Sequence, residues 1–483
     1  MIIIRQLVDK YQRASKTMKA SLWFIVCYMI QRGMQFIGMP IFTRIMTADE
    51  YGMYAVFLSW FNLLCIFTSL NIYSGTFNKA MIKYEKERDS YISSIQWLTL
   101  LLGFLFSFII IIFNESITNQ TGYSIKFQIL MCLHLILFPS LQYWSQKQRF
   151  LFEYKKLVFI SLTNSICSLI FGVIITIISD DKSFSLIAVT VIIESFICSF
   201  LFFCNYKKQA PIFSKNYWQW SMIMALPLIP HYVSELLLGH ADRIMISYIC
   251  GSAKAGIYNI VYQISMVMTI IRTGINGAFA PWLYYSLKNK DYMDIRTNSK
   301  ALTIMMFMLT VFFMLIGPEI LRLAAPESYY EAVVGIPAIM IGCFFIYVYV
   351  LFMYVEIYLE KTKGVAVASI IAALTNILLN YIFIPKFGYL AAAYTTLISY
   401  ILLAVMHYIF LRLSIGHDEK FSLVYDFKFL FITSFLIILL GGLIIYLYDF
   451  PLLRLMSLLT LIIVGYLNRT KVLHTYSQLR SKK

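Results

Sequence analysis

Apolar residues dominate this chain in long runs, each closed by a charged residue or a turn signal. Fourteen runs stand out, at 21–41, 53–74, 92–113, 126–144, 157–178, 184–204, 219–249, 256–285, 302–324, 333–357, 365–384, 389–411, 427–447 and 451–467. Most approach the roughly 20 residues that carry a helix across a bilayer. A transmembrane strand would alternate apolar and polar positions. These runs do not alternate, so the pattern predicts an all-α, polytopic membrane protein of about fourteen transmembrane helices.

The charges between the runs test that count. Basic residues collect before the first run (Arg5, Lys10, Arg13, Lys16, Lys19), in every second connection after it, and in the tail (Arg469, Lys471, Arg480, Lys482, Lys483). Thirty of the 40 Lys and Arg fall on that side. The other side holds one each at Arg44, Lys126, Lys182, Lys254, Arg322, Lys386 and Arg454. Cytoplasmic loops carry the excess of Lys and Arg. The split therefore predicts an even number of spans with both termini cytoplasmic, and one span more or fewer would scramble it.

Composition narrows the class further. Only 13% of residues are charged and 60% are hydrophobic, against about 25% charged in soluble proteins, which excludes a soluble enzyme. The net charge of +16 reads as loop charge against anionic headgroups, not as a nucleic-acid footprint. Cys27, Cys65, Cys132, Cys167, Cys198 and Cys343 sit inside apolar runs without metal-ligand spacing and act as small hydrophobes. Residues 1–20 are polar and basic, so no cleavable signal is expected. Phosphate-binding loops, dinucleotide fingerprints and zinc motifs are absent from the sequence, and no cofactor or metal is expected. The outer connections are short, about fifteen residues at most, so the activity is expected within the membrane.

The first twelve runs divide into two sixes at the polar, basic connection 205–217. Arg44-Ile45-Met46 followed by Tyr51-Gly52-Met53-Tyr54 is echoed by Arg243-Ile244-Met245 followed by Ala255-Gly256-Ile257-Tyr258. Two six-helix halves of the same orientation form the parallel-repeat plan of many transporters. The expected organisation is an N-lobe (1–214), a C-lobe (215–425) around a shared central cavity, and a C-terminal helix pair with a basic tail (426–483).

Several motifs, taken in order, resemble a known family. Ala225 to Pro230 (ALPLIP), Gly239 to Met245 (GHADRIM) and Ala255 to Tyr258 (AGIY) look like helix 7 and the start of helix 8 of bacterial polysaccharide repeat-unit flippases. Asn376 to Asn380 (NILLN), Ile384 to Gly388 (IPKFG) and Ala391 to Thr395 (AAAYT) resemble that family's helix 11–12 junction, and Thr43-Arg44 with Glu50 to Tyr54 its first turn. The family lies within the multidrug/oligosaccharidyl-lipid/polysaccharide exporter superfamily. The resemblance implies movement of undecaprenyl-diphosphate-linked oligosaccharides from the cytoplasmic to the periplasmic leaflet of the bacterial inner membrane by alternating access. It implies no enzyme chemistry, and partners limited to that lipid, membrane lipids, H+ or Na+, and a polysaccharide polymerase. The last two helices have a counterpart in the related lipid II flippase, which also has cavity arginines on the helices that here carry Arg32 and Arg272.

Charge at membrane depth costs at least about 2.5–3.5 kcal/mol on insertion scales and calls for a reason. Arg32 and Arg272 lie near the middle of helices 1 and 8. An arginine fork suits a diphosphate; the plainer alternative pairs each with a carboxylate that locks helices. On helix 7, His231, Glu235 and Asp242 fall within roughly 40° of one another, with Pro227 and Pro230 inviting a kink beside them. Glu235 either titrates during transport or forms a fixed bridge to Arg272. Asp242, Arg243 and Arg44 are expected at a gate or helix end. Glu194 is expected either as the partner of Arg32 or as a second ion site, and His134 as an interhelical hydrogen bond. Asn376 and Asn380 either bridge helices or face sugar. Asn276 and Pro281 predict a break in helix 8.

Two other functions fit the chain less well. A cation-coupled drug antiporter of the same superfamily would be expected to have twelve spans and an acid-rich cavity. A membrane polymerase or ligase would need a long outer loop for its catalytic residues.

Overall fold

The computed structural model describes residues 15–206, 211–416 and 421–467. Arg5, Lys10, Arg13, Lys207, Lys208, Lys420 and the basic tail beyond residue 467 lie outside the described residues. Two compact units meet in sequence at Leu236/Leu237.

The first unit contains α1 (Lys16–Ile45), α2 (Ala48–Ser69), α3 (Ile72–Gly75), α4 (Phe77–Lys83), α5 (Arg88–Ile112), α6 (Asn114–Thr121), α7 (Ile125–Phe150), α8 (Tyr154–Ile178), α9 (Lys182–Asn205) and α10 (Lys215–Ala225). Helix α11 (Ile229–Cys250) runs across the division. The second unit continues with α12 (Ser252–Ile264), α13 (Met266–Lys288), α14 (Tyr292–Ala324), α15 (Ile336–Tyr358), α16 (Thr362–Phe387), α17 (Ala391–Ile415), α18 (Phe427–Leu447) and α19 (Pro451–Leu467). Helical structure occupies all fourteen expected positions.

Eleven helical stretches among the described residues are long and apolar enough to cross a membrane by length and composition. The three expected spans outside that group are instructive. Helix α1 is continuous but carries Gln31, Arg32 and Gln35 within its apolar run; α12 and α13 are separate helices, the second carrying Arg272; α19 has 17 residues and carries Arg454. Burial is inverted relative to a soluble protein. Phe104, Phe108 and Ile112 on α5 and Phe196, Phe200 and Phe203 on α9 are exposed, while Gln96, Asn205 and Asp242 are buried. Lipid is the solvent that makes this arrangement stable.

Helix ends follow local chemistry. A reciprocal capping box opens α2: Glu50 N donates to Thr47 Oγ1, and Thr47 N donates to Glu50 Oε2 at 2.8 Å. The second expected helix stops earlier than its apolar run because Leu70 and Asn71 take the left-handed conformation, and two short helices follow. The expected kink at Pro227 and Pro230 is a 3-10 turn, Leu226–Leu228, between α10 and α11.

The expected break at Asn276 and Pro281 is corrected: α13 runs continuously through both. The interruption lies at Ser265, whose hydroxyl donates to the Tyr262 carbonyl at 2.6 Å. Such a bond competes with the helical ladder. A second correction concerns Arg454, expected as an outer-connection charge. It is 2% exposed within α19 and ion-paired with Glu319 of α14.

Within the first unit α5 and α7 approach so closely that a Cβ on Gly103 would lie 2.9 Å from Ile136 Cα. Within the second, Asp426 caps α18 and holds Arg296 at 2.8 Å and Lys300 at 2.6 Å.

Candidate functional site

The most concentrated buried polar chemistry of the second unit gathers around Asp242. Its side chain is 1% exposed. Tyr258 Oη donates to Oδ2 at 2.6 Å, Thr396 Oγ1 donates to Oδ2 at 2.7 Å, and Asn380 Nδ2 donates to Oδ1 at 2.7 Å. Asn380 also donates to Asn376 Oδ1 at 3.3 Å, Asn376 donates to Thr396 Oγ1 at 2.9 Å, and Thr395 donates to Asn380 Oδ1. Four helices supply these groups. Asp242 comes from α11 and Tyr258 from α12; the asparagines lie one turn apart on α16, and the threonines open α17.

Arg243, the next residue, is also buried. Its Nε donates to Asn259 Oδ1 at 2.8 Å and its Nη1 to the Gly239 carbonyl at 2.7 Å, with the guanidinium 4.2 Å from the Tyr262 ring centre. A bare carboxylate in such surroundings would be costly. Here three direct donors and a neighbouring cation compensate it. A cavity of about 30 Å3 touches the cluster through Thr396 and is lined by Tyr262, Ser265, Thr269, Cys343 and Tyr400, roughly one water's share of liquid volume.

The cluster offers a carboxylate, two amide oxygens and three hydroxyls. These are the hard oxygen donors that hold a small cation. No cluster of three or more His, Cys, Asp or Glu with metal-binding arrangement occurs among the described residues, so a transition-metal site has no ligand set there.

At the place in the first unit that matches Asp242-Arg243 by sequence stands Thr43-Arg44. Arg44 Nη1 donates to the Pro40 carbonyl at 2.8 Å, the same four-residue step back that Arg243 makes to Gly239. Thr43 is buried and bonds the Pro40 carbonyl at 3.3 Å. The backbone motif recurs; the carboxylate does not.

The other sequence candidates separate into distinct environments. On α11, Asp242 is buried while Glu235 is exposed and His231 half-buried against Tyr232. Their common helical angle does not give them a common environment. Arg32 donates to Gln35 Oε1 at 2.8 Å and lies 5.2 Å from the Tyr28 ring centre. Glu194 meets His134, its Oε2 lying 3.0 Å from Nε2. Arg272 is half-buried on α13 and, within its own unit, makes no hydrogen bond or ion pair to a described residue. Asn276 is half-buried one turn further along.

Sequence reading named Asp242, Asn376 and Asn380 without placing them together. It missed Thr396 and the hydroxyl of Tyr258 as their partners, although Tyr258 stands in the AGIY motif and Thr396 directly follows AAAYT. It also missed two pairs, the buried His407 with Glu356 at 2.9 Å, and buried Arg454 with the partly exposed Glu319.

The model of the polysaccharide biosynthesis protein family matches residues 17–286, more than half of the chain. The chain belongs to this family. A second family model, MatE, matches residues 227–382 of this chain, a range that includes Asp242, Asn376 and Asn380. An uncharacterized membrane protein of Methanocaldococcus jannaschii is 21% identical over 455 residues, covering 85% of this chain and 87% of its own. Among solved structures, the lipid II flippase MurJ in an inward closed conformation gives a TM-score of 0.69 at 18% identity, over 93% of this chain and 99% of that one. An inward-facing multidrug resistance MATE family transporter gives 0.57 at 11% identity, over 84% and 98%. The fold is shared with both of these solved structures, and the family member is a multi-pass membrane protein.

Proposed function

We propose that this protein is a flippase for polyprenyl-diphosphate-linked oligosaccharides. It carries them from the cytoplasmic to the periplasmic leaflet of a bacterial inner membrane by alternating access, with both termini cytoplasmic. The observation that carries this reading is Arg272, a half-buried guanidinium on α13, part of the eighth expected span, with no carboxylate partner among the described residues of its own unit. An uncompensated arginine there calls for an anionic ligand, and its fork fits the oxygens of a diphosphate. Arg32, engaged with Gln35 and Tyr28, is the second candidate contact. The family membership supports a polysaccharide precursor as cargo, and the fold shared with a lipid II flippase supports a lipid carrier.

Direction is assigned to a cation, H+ or Na+, bound at the Asp242 cluster. Cation binding replaces the hydroxyl and amide donors of Tyr258, Thr396 and Asn380 with a positive charge, so those side chains must turn. A ligand shifts a conformational equilibrium only through such differential contacts. Glu235, exposed on the same helix, is not needed for this step.

A second reading is a cation-coupled drug antiporter, favoured by the MatE match, whose range includes Asp242, Tyr258, Asn376 and Asn380 of the same cluster. Mass spectrometry of a lipid extract from a strain lacking the gene separates the two. Accumulation of one complete, unpolymerised repeat unit on polyprenyl diphosphate, with loss of surface polymer, is the expected result. Unchanged lipid intermediates and normal surface polymer would return the antiporter reading.

A further inference from the structure

We infer that the groove between α14 and α19 binds one anionic phospholipid of the bilayer, with an acyl chain along the groove and the phosphate beside Lys300. The groove has a volume of about 430 Å3, and every residue lining it is apolar. Ala301, Ile304, Met308 and Phe312 of α14 form one wall; Leu461 and Ile462 of α19 form the other. The two helices run antiparallel. Glu319 pairs with Arg454, and eleven residues back along α14 a Cβ on Gly465 would lie 3.5 Å from Met308 Cε. The missing side chain at Gly465 leaves room beside Met308.

The dimensions fit one chain of one leaflet. Ala301 and Phe312 stand about 16 Å apart along α14 at 1.5 Å per residue. A leaflet contributes half of a hydrocarbon core roughly 30 Å thick. Ile304 and Ile462 at the lips are 47% and 49% exposed, so a chain enters sideways from the bilayer without displacing a helix. Met305 and Met308 supply unbranched side chains that adapt to an irregular occupant.

Charge at one end selects the headgroup. Lys300 precedes Ile304 by one turn and lies on the same face of α14. Its side chain is partly exposed and meets Asp426 at 2.6 Å, while Arg296 meets the same carboxylate at 2.8 Å. Two cations thus share one carboxylate. Lys428, exposed on the first turn of α18, adds a third positive charge. The excess among these residues is positive. A zwitterionic headgroup brings its own ammonium to that excess; an anionic one brings only the phosphate. Basic pockets between membrane helices favour anionic lipid in this way. The other end has no such excess, because Arg454 is matched there by Glu319. The asymmetry fixes which way the lipid lies.

A lipid held in this way touches α14, α18 and α19 together and stabilises them by mass action. The test is native mass spectrometry of the full chain, extracted from vesicles of equimolar phosphatidylglycerol and phosphatidylcholine with identical acyl chains. One phosphatidylglycerol is expected to stay bound in preference to phosphatidylcholine. Met308→Trp fills the groove and is expected to lose that lipid; Ile462→Trp, on the exposed lip, does the same if Met308→Trp does not fold. Lys300→Gln is expected to keep a bound lipid but to lower the preference about fivefold. Lys428→Gln, which leaves the ion pairs of Asp426 in place, lowers it in the same direction. Equal retention of the two lipids in wild type, retention unchanged by either groove-filling variant, or a preference unchanged in both lysine variants would overturn the site. A dimer that carries no lipid would give the groove to a second copy instead. The measurement involves no oligosaccharide, so its outcome is independent of the cargo proposed above.

Discussion

Asn380 Nδ2 lies 2.7 Å from Asp242 Oδ1, joining residues 138 positions apart in the chain. The amide holds the carboxylate from one side while Tyr258 and Thr396 hold it from the other. Loss of one donor and neutralisation of the carboxylate therefore have different consequences.

Asp242→Asn keeps the shape of the side chain and removes its charge. The variant is expected to insert and fold, and to lose the response of transport to a sodium or proton gradient by at least about tenfold, a shift of about 1.4 kcal/mol. Gradient-driven translocation in proteoliposomes checks this. Asn380→Ala instead leaves an acceptor of Asp242 unmet and is expected to destabilise the fold by about 1–3 kcal/mol, read by thermal unfolding in detergent. An Asp242→Asn protein with undiminished gradient dependence would move the coupling site elsewhere.

Arg272→Ala is expected to abolish surface polysaccharide while the protein remains inserted at normal abundance. Arg272→Lys keeps the charge but loses the bidentate fork, so an intermediate polymer level is expected. Immunoblots of membranes alongside polymer gels read both, and full polymer in Arg272→Ala would end the anionic-headgroup role.

Gly103 and Gly33 give opposite expectations for the same substitution. Alanine at Gly103 sets a methyl group against the backbone of Ile136, which cannot swing away, whereas nothing lies within 4 Å of a Cβ at Gly33. Gly103→Ala is expected to cost about 1–3 kcal/mol through overpacking. Gly33→Ala is expected to be neutral or to gain about 0.5–1 kcal/mol from helix propensity. Thermal melts of the two variants side by side provide the comparison.

Asp426 predicts a dependence on pH. Lys300 first, then Arg296, hold its carboxyl well below the usual carboxylate range. A carboxyl lowered on folding stabilises the protein above its unfolded value, about 3.9, and that contribution fades as the pH falls through the lower folded value. Wild type is therefore expected to melt above Asp426→Asn at neutral pH, and the gap is expected to close only below about pH 4. A gap that closes between about pH 5 and pH 7 would assign it to another group.

The helices were legible because burial in lipid demands long apolar runs. Breaks were less legible. Proline marks its own position, so the turn at Pro227 and Pro230 was foreseen, but Pro281 misled because α13 absorbs it. Ser265 breaks the helix through one hydroxyl, which composition does not reveal. The same limit applied to the site. Asn376 and Asn380 show their common face through their spacing, yet their partner is on another helix. The angle linking Glu235 to Asp242 concealed that one is exposed and the other enclosed.

Arg454 joins Glu319 across 135 positions, from the last described helix back to α14. Synthesis runs from the amino end, so Glu319 reaches the membrane long before Arg454 is made. Until then its carboxylate must stay near water. Arrival of α19 pairs it with a guanidinium and fastens α14 to the last described helix. A chain without α19 would present that carboxylate with no guanidinium beside it, and α14 would lose the ion pair that fastens it.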